Sequence, residues 1–528
     1  MKVFLMFRDR DFSLEEAAPA NAQDLIQDLE LNTLFQAMAG GDSYLFEVAR
    51  VAVMASLKEH EAILYRQEIL SDCLEFQEIV KELYTLSVDS IERENKIWGW
   101  FSLSSPDSLL HRSVEALGLF VGSLERLRKL ADEQGTKMRS EGFRRFFGMI
   151  SQELDDDYLQ AVKNHLERLN FPNGILMNAD LGPDFRGKNY ILRRMDVRKL
   201  KWFEQVQEWV GQIKHKDGAG FTFDVDPRDE AGFRALEALR TEGIANVAVA
   251  LAQSSDHILS FFKALRLELG FYMGCLNLRE KLVAKQEPLC IPTPLLEKDE
   301  MLQCREIYDV CLSLNTATRV VGNDIAGENK ALVVITGANR GGKSTFLRSL
   351  GIAQLMMQCG MFVAARDYQA NICRGVFTHF KREEDVGMKS GKLDEELSRM
   401  SAIVERITSH SVLLLNESFA STNEREGSEI ARQIVRALME KKVKIVYVTH
   451  MFDLADGFYR QLKKCALFLR AERLADGTRT YRLIEGAPEP TSYGEDLFWR
   501  IFKGESENLQ VQVSDEWATA RRLSGTHT

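Results

Sequence analysis

The sequence predicts a mainly α N-terminal half followed by an α/β half. Three observations carry this. Apolar residues recur at spacings of three and four across residues 14–170, and again from 230 to about 283. From about residue 331, short Val/Ile/Leu-rich runs alternate with helical patterns, as in a largely parallel sheet covered on both faces. A glycine-rich stretch, Gly337-Ala-Asn-Arg-Gly-Gly-Lys-Ser344, lies between one such run and the helical pattern that follows it.

Taken in order, "LIQDLELNTLFQAMA" (25–39) and "VARVAVMASLKEHEAILYRQEILSDCLEF" (48–76) each keep one apolar helix face. Phe76, inside this pattern, reads as a core residue of a helix. "SVEALGLFVGSLERLRKLADEQ" (113–134) sets a charged face opposite an apolar one. The texture then changes. "GILMNADLGPDFRGKNYILRR" (174–194) has two short apolar runs around a Gly/Pro/Asp-rich centre, the pattern of a β-hairpin. After the helical stretch ending near 283, Pro288, Pro292 and Pro294 fall within seven residues and mark a boundary between the halves. Beyond it, "ALVVIT", "SVLLLNE" and "KIVYVTH" read as strands, and "KSTFLRSLGIAQLMMQCG" and "REGSEIARQIVRALMEK" as helices.

Composition limits the function classes. The 528 residues are 45% hydrophobic and 28% charged, ordinary for a globular chain, and ten prolines leave little room for long disordered linkers. A net charge of −10 argues against a free-standing nonspecific nucleic-acid binder, so any such contact must come from local basic patches. The eight cysteines form no CxxC pair and read as free thiols of a reducing compartment. The opening apolar run breaks at Arg8, too short for a signal or membrane segment. The expectation is a cytoplasmic protein with no membrane partner.

The glycine-rich stretch fits GxxxxGK[ST] in the strand–loop–helix setting that a phosphate-binding loop requires. Backbone N–H groups of Gly337, Ala338, Asn339, Arg340, Gly341 and Gly342 would converge on phosphate oxygens, joined by the dipole of the helix opening at Lys343, Ser344 and Thr345. Lys343 can reach the β- and γ-phosphates, and the Ser344 hydroxyl can ligate Mg²⁺. The strand "VLLL" ends at Asn416-Glu417, where such proteins usually bring an aspartate to the metal. Asn416 is neutral and would hold the ion weakly or through water, whereas Glu417 is placed to polarise an attacking water. His450, at the end of "KIVYVTH", is a second catalytic candidate near the γ-phosphate, or a surface histidine at a strand end.

"TGANRGGKST", "LLLNESFAST…EG" and "VTH", with "GMFVAARDYQANICRGVFTHF" between them and "EGAPEPTSYGEDL" after them, resemble the MutS mismatch-repair ATPases across residues 331–498. "FFKALRLELGFYMGCLNL" is similar to that family's long helix returning from lever to ATPase. The resemblance implies a mainly α core and lever domain over 1–285, an ABC-like P-loop ATPase domain over 286–505 and a tail over 506–528. It implies ATP and Mg²⁺ as cofactors and a homodimer formed through the ATPase domains. In that dimer the signature segment at Ser390 and Gly391 faces the partner's γ-phosphate. It implies double-stranded DNA, branched or mismatched, as partner. A small β clamp over 172–225 would bring Arg186, Lys188, Arg193, Arg194, Arg198, Lys199 and Lys201 to phosphates beside Tyr190 and Trp202, or these residues form a solvated face. Departures qualify the resemblance. The helical core starting within the first ~30 residues leaves no room for mismatch-sensing and connector domains. Val320 stands three residues before Asn323, where the family has an aromatic that stacks on adenine. Asn416 puts turnover in question, so the alternative is an ATP-binding assembly module with little hydrolysis, acting on structured RNA or a protein partner.

Overall fold

A computed structural model describes residues 1–98, 105–169, 176–181, 187–193, 230–296, 301–382, 391–490 and 493. They pack as two compact units. One comprises Met1–Phe4, Glu78–Arg139 and Phe143–Leu269; the other comprises Leu5–Gln77, Ser140–Gly142 and the described residues from Gly270 onward.

The first unit is built mainly of helices. The start of Pro106–Gln134 follows from its chemistry: the Ser105 hydroxyl accepts from Ser108 N at 3.2 Å, and Pro106 occupies the first turn, where its missing N–H costs nothing. The helix buries Leu110, Val114, Leu117 and Val121, the three-and-four stripe of the sequence, against Leu166 of Asp156–Leu169 and Ile244 and Ala248 of Glu230–Ala284. The last is one continuous helix, its residues from Gly270 onward belonging to the second unit. The expected hairpin is present as β1 (Leu176–Leu181) and β2 (Gly187–Arg193), antiparallel, with Leu176 opposite Arg193 and a bulge between Asn178 and Asp180.

The second unit holds two sheets. The larger has the order β12-β11-β6-β10-β9-β8. Its strands are β6 (Leu332–Gly337), β8 (Val376–Phe380), β9 (Val412–Asn416), β10 (Lys444–Val448), β11 (Ala466–Arg473) and β12 (Arg479–Glu485), parallel except for β12. β6 is buried along its whole length, which is why it reads as a continuous apolar run. Helices Glu424–Glu440 and Phe452–Leu462 cover one face through Ala431, Val435, Leu438, Leu454 and Phe458.

The smaller sheet, order β3-β7-β4-β5, consists of β3 (Thr293–Leu295), β4 (Leu302–Ile307), β5 (Asn323–Ala326) and β7 (Asp367–Asn371). Sequence reading missed it because its strands are short and polar at alternate positions, and because β3 lies inside the proline cluster.

The packing units cut across residue 285. Residues 5–77 lie with the sheets: Asn21 Nδ2 donates to Val376 O at 2.8 Å, and Leu57 N to Gln358 O at 2.8 Å. The fully buried Arg66 donates to Met6 O at 2.7 Å and to Cys359 O at 3.2 Å. Phe76 corrects a sequence expectation. It is the half-buried break between helices His60–Glu75 and Gln77–Trp98 rather than a core residue within one helix. All eight cysteines are free, and among the described residues no helix is long and apolar enough to cross a membrane.

Candidate nucleotide site

β6, β10 and β9 are adjacent and parallel, with Val448 beside both Ile335 and Asn416. Their carboxyl ends therefore open on one place, where open α/β sheets bind ligands. The loop after β6 is forced by its glycines. Gly337 has φ 101° and Gly342 φ 88°, and a Cβ on Gly341 would sit 2.6 Å from Ala471 Cβ of β11. Arg340 also takes a left-handed φ of 59°, at a cost of roughly 1–2 kcal/mol for a residue with a Cβ. Ala338 is buried, Asn339 and Arg340 are exposed, and Thr345 is half-buried on the first turn of the helix Lys343–Gln358.

Lys343 is 5% exposed and donates from Nζ to Gly337 O at 2.9 Å and Ala338 O at 3.0 Å. Burial lowers its pKa, and the Glu417 carboxylate opposes that. The Ser344 hydroxyl donates to Asn416 Oδ1 at 2.9 Å, so the two residues expected at a metal are in contact.

Glu417 has a left-handed φ of 53°, and its N–H donates to Val448 O at 2.9 Å. His450 holds the Glu417 carboxyl below the usual range, helped by Lys343 and Lys381 and opposed by burial. Their closest atoms are 3.8 Å apart, a loose contact whose strength depends on the imidazole's charge. His450 is itself exposed, so both of its sequence readings meet here.

The other expected site residues are only partly among the described residues. Gly391 is the N-cap of the helix Lys392–Arg406, with φ −62° and no side-chain cap, and Ser390 falls outside the described residues. Lys188 and Arg193 are on β2, whereas Arg186, Arg194, Arg198, Lys199, Lys201 and Trp202 are outside the described residues.

Sequence reasoning missed a pocket of about 520 Å³ beside the loop, lined by Val320, Val321, Asn323, Arg340, Gly342, Thr345 and Tyr481 among others. Tyr481 is 53% exposed and has φ 60°. Asn323 fixes its strand by donating to Tyr481 O at 3.1 Å and accepting from Leu483 N at 2.7 Å. Its only sequence signal is an aromatic among arginines in "TRTYR".

Comparison with known proteins gives the relationship. The MutS2 N-terminal domain model matches residues 58–285, and the MutS domain V model matches residues 333–497. The chain belongs to the MutS family. The domain V match runs from β6 past β12 and contains Lys343, Ser344, Asn416, Glu417, His450 and Tyr481. DNA mismatch repair protein MutS of Thermus aquaticus is 31% identical over 180 residues, covering 34% of this chain and 22% of that protein. Endonuclease MutS2 of Listeria monocytogenes is 32% identical over 201 residues, 37% of this chain and 25% of that protein. Endonuclease MutS2 of Lacticaseibacillus paracasei is 28% identical over 287 residues, 53% and 35% of the respective chains. The chain thus matches between about a fifth and a third of the length of these MutS-family relatives.

Proposed function

We propose that this chain is an ATP-dependent DNA-binding protein of the MutS type. ATP binding and hydrolysis would switch a dimeric clamp on DNA, in mismatch repair or related DNA maintenance. The observation that carries the reading is the convergence of Lys343, Ser344, Asn416 and Glu417 at the ends of neighbouring parallel strands. Phosphates bind the N–H groups of the loop Gly337–Gly342, and Lys343 exchanges its loop carbonyls for β- and γ-oxygens. The nucleotide base enters the adjoining pocket, where Tyr481 offers the aromatic face that Val320 does not.

Two oxygen donors 2.9 Å apart, Ser344 Oγ and Asn416 Oδ1, suit a hard divalent cation, although neither carries charge. Bound there, Mg²⁺ would neutralise charge on the β- and γ-oxygens. Glu417, ionised at neutral pH, orients and deprotonates the attacking water, with His450 at its side. In a homodimer the partner's helix beginning after Gly391 faces the γ-phosphate.

On this reading residues 1–285 form core and lever, 286–505 the ATPase domain and 506–528 a tail in a cytoplasmic protein. Basic residues on and around β2, including Lys188 and Arg193, meet DNA phosphates. Asn416 favours a second reading, in which ATP locks an assembly on structured RNA or a protein and hydrolysis is negligible. Single-turnover hydrolysis at saturating Mg²⁺, with and without DNA, separates the two. The first reading expects Glu417-dependent turnover that responds to DNA, and the second expects bound ATP that persists.

A further inference from the structure

Behind Glu417 lies a closed polar cluster that the nucleotide site does not itself use. His379, on β8, is fully buried. Its Nδ1 lies 2.7 Å from Ser418 Oγ, and its Nε2 lies 3.0 Å from Glu396 O, in the helix Lys392–Arg406. Burial, with Arg399 nearby, pushes its pKa down to about 4, so the ring is neutral and has one N–H. With that proton assigned to Nε2 it is donated to Glu396 O, and the single proton of the Ser418 hydroxyl is donated either to His379 O, at 2.7 Å, or to Nδ1. The Ser418 carbonyl accepts from Tyr447 Oη at 2.7 Å. Ser418 is therefore held at both side chain and backbone, between two left-handed residues, Glu417 with φ 53° and Phe419 with φ 65°. Phe419 stacks on the His379 ring, centroids 5.5 Å apart, and the Ser421 hydroxyl donates to Glu396 Oε1 at 2.8 Å.

We propose that His379 is a positioning residue for Glu417, fixing the turn that aims its carboxylate by bonding Ser418 and tying that turn to the helix Lys392–Arg406. The inference rests on the ATPase reading above. A left-handed residue with a Cβ persists only where its surroundings over-determine it. Here the bonds on the next residue do so, and through Glu396 they make the base's aim depend on the position of the helix Lys392–Arg406. A base displaced by an ångström loses about a hundredfold in rate without losing its charge.

The test measures ATP affinity, single-turnover hydrolysis and amide exchange of the peptide spanning residues 412–424 in the full chain. Variants are Ser418→Ala, His379→Ala and His379→Asn. The first two are expected to lower hydrolysis at least about tenfold, to leave ATP affinity within about twofold, and to speed exchange at residues 417–419. Combined, they should cost little more than either alone, because both break one link. His379→Asn, which keeps a polar group on the Ser418 side and gives up the ring that spans to Glu396, is expected to recover only part of the rate. Ser418→Ala with wild-type hydrolysis and exchange would overturn the proposal, and so would equal losses of affinity and rate. If the wild type shows no Lys343-dependent hydrolysis, the ATPase reading and the role in aiming a base both fall. The exchange data would still decide whether the link holds the turn.

Discussion

On the proposed ATPase reading, Asn416 sets the charge available to a divalent ion. Its amide oxygen accepts from Ser344 at 2.9 Å and supplies no net charge, whereas a carboxylate there would attract the ion by Coulomb energy. Asn416→Asp is expected to lower the Mg²⁺ concentration for half-maximal hydrolysis and to raise turnover. A Mg²⁺ titration in which metal dependence is unchanged and turnover lower would instead mark Asn416 as adapted to its neighbour Glu417. Lys343→Ala, which removes the buried ammonium beside the loop, should abolish tight ATP binding in a direct titration. Glu417→Gln should bind ATP normally and hydrolyse it about 10²–10⁴-fold more slowly.

The same carboxyl makes a pH prediction. Its folded-state pKa is depressed, so its contribution to stability is present above the ordinary carboxylate range and is lost as pH falls through the folded value. The stability difference between wild type and Glu417→Gln, measured by urea unfolding, should therefore shrink as pH falls through and below the ordinary carboxylate range. Lys343, Ser344, Asn416 and Glu417 could be named as candidates from the sequence because each stands in a short motif against a strand end. Tyr481 and His379 had no such signal. They reach the site through strand order in the sheet, which only the fold reveals.

At the scale of elements, the turn after β9 is braced by the next helix. A Cβ on Gly427, in Glu424–Glu440, would lie 2.4 Å from Phe419 O. Alanine gains about 1 kcal/mol of helix propensity over glycine, but a backbone carbonyl at that distance cannot be accommodated without moving the turn, at a cost of about 1–3 kcal/mol. Gly427→Ala should thus lower the melting temperature by several degrees and slow hydrolysis more than it weakens ATP binding. An unchanged melting temperature and rate would show that the turn yields freely. The helices and the parallel strands β6, β9 and β10 were legible because their apolar patterns are clean, as along β6 and the stripe Leu110, Val114, Leu117 and Val121, whereas the parallel strands β8 and β11 were not read as strands. The smaller sheet was not, since β3 spans three residues and β4 breaks register between Cys304 and Ile307. The association of residues 5–77 with the sheets was also hidden. It depends on scattered bonds such as Asn21 to Val376 and on the ion pair of Arg348 with Glu30.

At the scale of the whole molecule, the proposed function couples nucleotide turnover to DNA. A net charge of −10 means that any duplex must meet a local basic patch, so affinity should fall steeply with salt, and matched and mismatched duplexes should bind alike. A strong, salt-insensitive preference for one mispair would contradict that expectation. The most direct measurement is the steady-state ATPase rate of the full chain with no nucleic acid and with duplex, mismatched, branched and single-stranded DNA, run beside Glu417→Gln. The expected rate requires Glu417 and changes when duplex or branched DNA is bound. Tight ATP binding with a rate that no DNA alters would contradict it and leave the chain as a nucleotide-locked assembly module.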